Sequence, residues 1–124
     1  MTYVEGFLVP VKPGRKQDYV ALARHIAAIF LDHGATRVVE SWNDNVDHGR
    51  VNDMYTAVMA EDGEDIVFSW VEWPDKATRD IGWEATIADP RMPQSDDAPY
   101  ANARVIHGGF RVIVDTAAKQ GERL

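Results

Sequence analysis

The sequence predicts an α+β fold of the ferredoxin-like, split βαβ kind, an antiparallel sheet carrying two helices. Three observations carry that expectation. Candidate elements follow in the order strand, helix, strand, strand, helix, strand, with similar spacing in the two halves. An aromatic strand, Ile66 to Trp73, breaks at Pro74 and runs straight into a charged helix. Finally, 124 residues suit one domain and are enough to bury a core without covalent staples.

The first strand spans Tyr3 to Val11, rich in Val, Phe and Leu, and the turn signal Lys12-Pro13-Gly14 ends it. From Arg15 to His33, Tyr19, Leu22, Ala23, Ile26, Ile29 and Phe30 recur at spacings of three and four, which gives a helix one apolar face. Gly34 stands where a left-handed residue would close it. Thr36 to Trp42 is the second strand, followed by an exposed polar loop from Asn43 to Gly49. Met54 to Ala60 fits either a helical turn capped by Asp53 or an edge strand, and a short irregular element is slightly favoured. After the acidic turn Glu61 to Asp65 comes the third strand, Ile66 to Trp73. Asp75 then caps a helix through about Ala88, which Pro90 stops. Pro93 to Asn102 reads as a linker and Arg104 to Asp115 as the last strand. The domain is thus expected over 1–115, with a polar tail over 116–124.

Composition narrows the function classes. With no cysteine, disulfides, thiolate nucleophiles and Cys-based metal sites are excluded. The formal charge is −7 and the 13 basic residues are scattered, so nucleic acid is a poor partner. No apolar run approaches the ~20 residues that cross a bilayer, and the amino terminus carries no secretory pattern. A membrane partner is therefore not expected, and the cytoplasm is the default compartment. The four histidines show no metal-site spacing, and no cofactor or metal is expected. Gly108-Gly109 lacks the rest of a phosphate loop and marks a bulge or a close backbone contact.

Under strict alternation the third strand is apolar on both faces, Val67, Val71 and Trp73 on one and Phe68 and Trp70 on the other. Strands of this kind are buried on both sides. Helices cover one face, and a sheet-to-sheet homodimer would cover the second.

Phe68-Ser69-Trp70-Val71-Glu72-Trp73-Pro74-Asp75-Lys76-Ala77-Thr78-Arg79-Asp80, then Asp89-Pro90-Arg91-Met92, closely resembles the small bacterial family catalogued as domain of unknown function 1428. Further matches are Gly6-Phe7, Pro10, Gly34-Ala35, Val39 to Trp42 and Arg104 to Phe110, so the resemblance covers nearly the whole chain. It departs from the pattern at Asn52-Asp53-Met54 and at Pro99-Tyr100-Ala101-Asn102, where Thr-Asp-Phe and Pro-Phe-Asp-Gly are expected. The resemblance implies the dimeric alpha/beta barrel superfamily, in which two ferredoxin-like sheets pack face to face. That superfamily includes small monooxygenases, muconolactone isomerase-like enzymes, haem-binding proteins and stress-responsive proteins, so membership alone assigns no chemistry.

The candidate site residues come from the residue pattern. Glu72 lies between Trp70 and Trp73, where a carboxylate is expensive to bury unless paired or protonated, and it is a candidate general acid or base. Glu40, close to Trp42, repeats the arrangement, and the two acids are expected to converge on one cavity near Arg104. The bland alternative pairs either acid with Arg104, Lys76 or Arg79. His107 on the last strand is the best candidate histidine, as a polar orienter. Trp42, Trp70, Trp73, Trp83 and Phe7, together with Tyr3, Phe68 and Tyr100, are candidate walls of a pocket for a flat, partly aromatic small molecule. Such a pocket suits cofactor-free monooxygenase- or isomerase-like chemistry, in which the protein supplies orientation and a base. The alternative is a structural or regulatory dimer in which the same groups serve packing and assembly.

Overall fold

The computed structural model describes residues 2–94 and 96–117. Its principal elements in chain order are β1 (Tyr3–Val11), α1 (Lys16–Asp32), β2 (Arg37–Trp42), α2 (Met54–Ala57), β3 (Asp65–Trp73), α3 (Lys76–Ala88) and β4 (Ile106–Arg111). The sheet order is β2-β3-β1-β4, with every neighbouring pair antiparallel. β3 therefore splits the β1-α1-β2 unit and β1 splits the β3-α3-β4 unit, which is the ferredoxin-like arrangement.

Local chemistry explains the boundaries. Gly34 follows α1 at φ 107°, a conformation that L side chains rarely adopt. Asp75 caps α3 by accepting from the Thr78 backbone N–H at 2.7 Å. The ambiguous segment after Asn52 is one helical turn, because Asp53 and Thr56 cap it reciprocally; it is not an edge strand. The last strand is shorter than the alternation suggests. Arg104 belongs to a 3-10 turn, Asn102–Arg104, where its guanidinium reaches the carbonyls of Val58 and Met59 and the Glu64 carboxylate, and Val112 to Asp115 lie outside the strand. Of the expected tail, residues 118–124 lie outside the described residues.

The register separates two faces. Tyr3, Glu5, Phe7, Val9 and Val11 of β1 stand opposite Trp73, Val71, Ser69, Val67 and Asp65 of β3. With Phe30, Ile26 and Tyr19 from α1 and Trp83 from α3, this face makes two core clusters, one around Trp73 and one around Val11. Trp73 is fully buried and packs edge-on against Phe30 at 6.1 Å between ring centres. Beside it the helix must come close: a methyl group at Gly82 would collide with the Trp73 ring and with the His33 carbonyl. The other face carries Val4, Gly6 and Leu8 in register with Phe110, Gly108 and Ile106 on one side and with Glu72, Trp70 and Phe68 on the other. Phe110 is 64% exposed, Phe68 48% and Ile106 45%.

Candidate functional site

A cavity of about 300 Å³ opens between the sheet and the two long helices. Phe7, Phe30, Ile26 and Trp83 give it apolar walls, and Tyr19, Glu40, Ser69 and His107 are among its polar groups. On the α1 side, Ala23 and Ala27, one helical turn apart, contribute only methyl groups. A second cavity of about 310 Å³ adjoins it, sharing Tyr19, Ala23, Ala27, Val38 and Glu40 and reaching Trp42, Lys16 and Arg24. The Lys16 ammonium stands 5.0 Å from the centre of the Trp42 ring.

Glu40 is the carboxylate common to both cavities. It lies on edge strand β2 and is exposed as a residue, yet nearby atoms remove enough water from its carboxylate to raise its pKa above the usual value. Desolvation is the larger cause, partly offset by hydrogen bonds from the Tyr19 and Ser69 side chains. The Tyr19 hydroxyl donates to Glu40 Oε1 at 2.5 Å. Tyr19 is itself buried, and burial together with the neighbouring carboxylate raises its own pKa, so the phenol stays protonated as a donor. A carboxylate held by a phenol in an apolar cavity is suited to taking and returning a proton.

Beyond Ser69 in the sheet, Phe7 of β1, His107 of β4 and Trp83 of α3 stack on one another with ring centres 5.5 to 6.1 Å apart. Behind them lies Glu5, whose side chain is fully buried. Its Oε1 accepts from Arg79 Nε at 2.8 Å and Nη2 at 2.6 Å, while Oε2 has no hydrogen-bond partner and stands 3.8 Å from His107 Nδ1. Arg79 is also held over the rings of Tyr3 and Trp83, at 5.3 and 5.9 Å.

The expected convergence of Glu40, Glu72 and Arg104 does not occur. Glu72 points to the face away from the helices, where Trp70 Nε1 donates to it at 2.9 Å and Arg37 approaches at 3.6 Å. Strand parity explains this, since Glu72 pairs with Val4 and Arg37 and is out of phase with Glu40, which pairs with Ser69. Arg104 is turned to Glu64 at 2.6 Å. Trp70 shares the face of Glu72, and Trp73 is core, so neither walls the cavity. Phe7, Trp83, Glu40 and His107 do line it, and Trp42 lines the adjoining one. The bland pairing also differs from expectation, because Arg79 pairs with Glu5 and Asp80, and Lys76 with Asp80 at 2.7 Å.

Tyr19 and Glu5 were not among the candidates. Tyr19 was legible as a tyrosine on an apolar helix stripe, since a buried phenol needs a hydrogen-bond partner. Glu5 was legible as an acid in phase with Tyr3, Phe7 and Val9 on the buried side of its strand. Among the described residues no group of three metal-ligating side chains converges, and no helix is long and apolar enough to cross a membrane.

The family described as protein of unknown function (DUF1428) matches residues 2–102. The chain is 41% identical over 116 residues to the uncharacterized protein YbaA of Escherichia coli strain K12, covering 93% of this chain and 99% of that one. It is equally similar to YbaA of Shigella flexneri, with the same coverage. Among solved structures, the fold is similar to a point mutant of SnoaB, a cofactor-independent oxygenase from Streptomyces nogalater. The TM-score is 0.60 at 14% identity, over 94% of this chain and 98% of that one. It is also similar to a protein assigned as an antibiotic biosynthesis monooxygenase from Bacillus cereus, with TM-score 0.53 at 18% identity and the same two coverages. The chain therefore belongs to the DUF1428 family and shares the ferredoxin-like fold of these two solved structures.

Proposed function

We propose that this protein is a cytoplasmic homodimer that binds a small, largely apolar, partly aromatic molecule in the helix-side cavity, and that Glu40 moves a proton on it. The observation that carries this reading is Glu40 itself: a carboxylate of raised pKa, held by Tyr19, in an otherwise mostly apolar cavity. Likeness of fold to a cofactor-independent oxygenase agrees with it. Sheet-to-sheet pairing would cover Phe68, Ile106 and Phe110.

Glu40 would take a proton from a carbon made acidic by a neighbouring carbonyl and ring, with the electron pair delocalised into both. Returning the proton to a different carbon is an isomerisation and needs no oxidant. With dioxygen as oxidant, the carbanion gives up electrons as a C–O bond forms, and the resulting hydroperoxide loses water. The balance is CH2 plus O2 to C=O plus H2O.

Proton removal is common to both routes and is tested first. With 2-tetralone under nitrogen, exchange of the C1 protons for solvent deuterium, followed by NMR, is expected to run faster with protein than in buffer. Glu40→Gln is expected to lower the added rate by on the order of 100-fold. No acceleration, with no small molecule retained by freshly purified protein in native mass spectrometry, would favour the structural or regulatory dimer instead.

A further inference from the structure

Oε2 of Glu5 is buried and has no hydrogen-bond partner, although an unmet buried carboxylate oxygen is costly. The titratable group facing it is His107, with Nδ1 3.8 Å away, slightly beyond hydrogen-bond range. The register accounts for the approach. His107 stands opposite Phe7 on the helix face, and Gly109 stands opposite Glu5. A Cβ at Gly109 would collide with the Tyr3 hydroxyl. Arg79 occupies the other oxygen of Glu5 and fixes the carboxylate from α3, while Phe7 and Trp83 hold the imidazole by stacking.

We infer that Glu5 is a positioning residue for His107: its free oxygen takes the Nδ1–H, which fixes the tautomer and leaves Nε2 as a hydrogen-bond acceptor for the hydroxyl of a phenolic or enolic ligand. The inference rests on the cavity being a ligand site, and it supplies that site with a second polar pole remote from Glu40. The ligand class follows: a flat ring system against Phe7, Trp83 and Phe30, with an O–H at the His107 end. In an imidazole the hydrogen bond made by one nitrogen sets the role of the other, so a buried carboxylate beside Nδ1 has a defined consequence at Nε2.

Long-range 1H–15N NMR of the ligand-free full chain at alkaline pH reads the tautomer directly. His107 is expected to be protonated at Nδ1 with Nε2 bare, the reverse of the form a free histidine side chain prefers. Glu5→Gln is expected to shift it toward the Nε2–H form; if that variant does not fold, Glu5→Gln/Arg79→Gln removes the unpaired cation. An Nε2–H tautomer in the wild type overturns the proposal, as does a His107 spectrum unchanged in the folded variant. Binding followed by tryptophan fluorescence adds a second readout. 2-Naphthol is expected to bind about tenfold more tightly than naphthalene, one hydrogen bond's worth, and to lose that margin in the Glu5 variant. Equal affinities in the wild type overturn the acceptor role. Failure of both probes to bind counts against the cavity as a ligand site, while the tautomer still decides the role of Glu5.

Discussion

The two faces of the sheet are made by the same strands, one residue out of phase, and they have opposite fates. The helix face buries Tyr3, Val9, Val71 and Trp73, yet admits Glu5 because Arg79 meets its charge. The opposite face leaves Phe68, Ile106 and Phe110 in water, and its one internal acid, Glu72, is held by Trp70 and Arg37 near the surface. Charge is desolvated on one face and apolar area is left open on the other, so the face a residue occupies says more about its surroundings than its type does.

The largest expected effect tests the exposed face. Phe68→Asp/Phe110→Asp should weaken self-association by at least about 100-fold, seen as monomer mass in light scattering at micromolar concentration, with the circular dichroism spectrum unchanged. A dimer that survives breaks the contrast. Next comes the helix face, where Gly82→Ala forces a methyl group against Trp73 and the His33 carbonyl. The cost should be roughly 2 kcal/mol and the melting temperature should fall by roughly 5–10 °C.

The two acids sharpen the comparison further. Glu72→Gln should weaken the dimer about tenfold and leave ligand binding in the cavity unchanged, with sedimentation and fluorescence titration as readouts. Glu40→Gln should leave the dimer intact and change stability with pH in a defined direction. The folded-state pKa of Glu40 is raised above 4.5. The stability its protonated form contributes is therefore complete below the unfolded pKa and lost as pH rises through the folded one. Glutamine does not ionise, so the variant should match the wild type near pH 4 and melt higher at pH 8. A variant that melts lower at pH 8 would mark Glu40 as structural. The smallest effect belongs to the exposed Lys76–Asp80 pair, since Lys76→Ala should move the melting temperature by less than about 1 °C.

The fold was legible because period-2 and period-3.6 patterns, Gly34, Asp75 and Pro74 act locally, and each element depends on its neighbours in sequence. The site was legible only in part. Glu40, His107, Phe7 and Trp83 line the helix-side cavity, whereas Glu72 and Trp70 fall on the other face. Alternation within a strand tells which residues share a face; which face meets the helices is fixed by pairing across strands. The same limit explains Arg104, whose partner Glu64 is brought near only by the turn before β4. Tyr19 and Glu5 were each in phase with core residues, and their polar ends become meaningful only once the facing element is known.

Ala23 and Ala27 form the wall where the two cavities adjoin. Alanine is the best helix former, and leucine, next in rank, costs α1 little. The α1 wall shared by the two cavities thus includes two positions at which side-chain size is nearly independent of helix stability. Enlarging either residue would shrink the cavity from the α1 side and leave Glu40, Tyr19 and His107 in place.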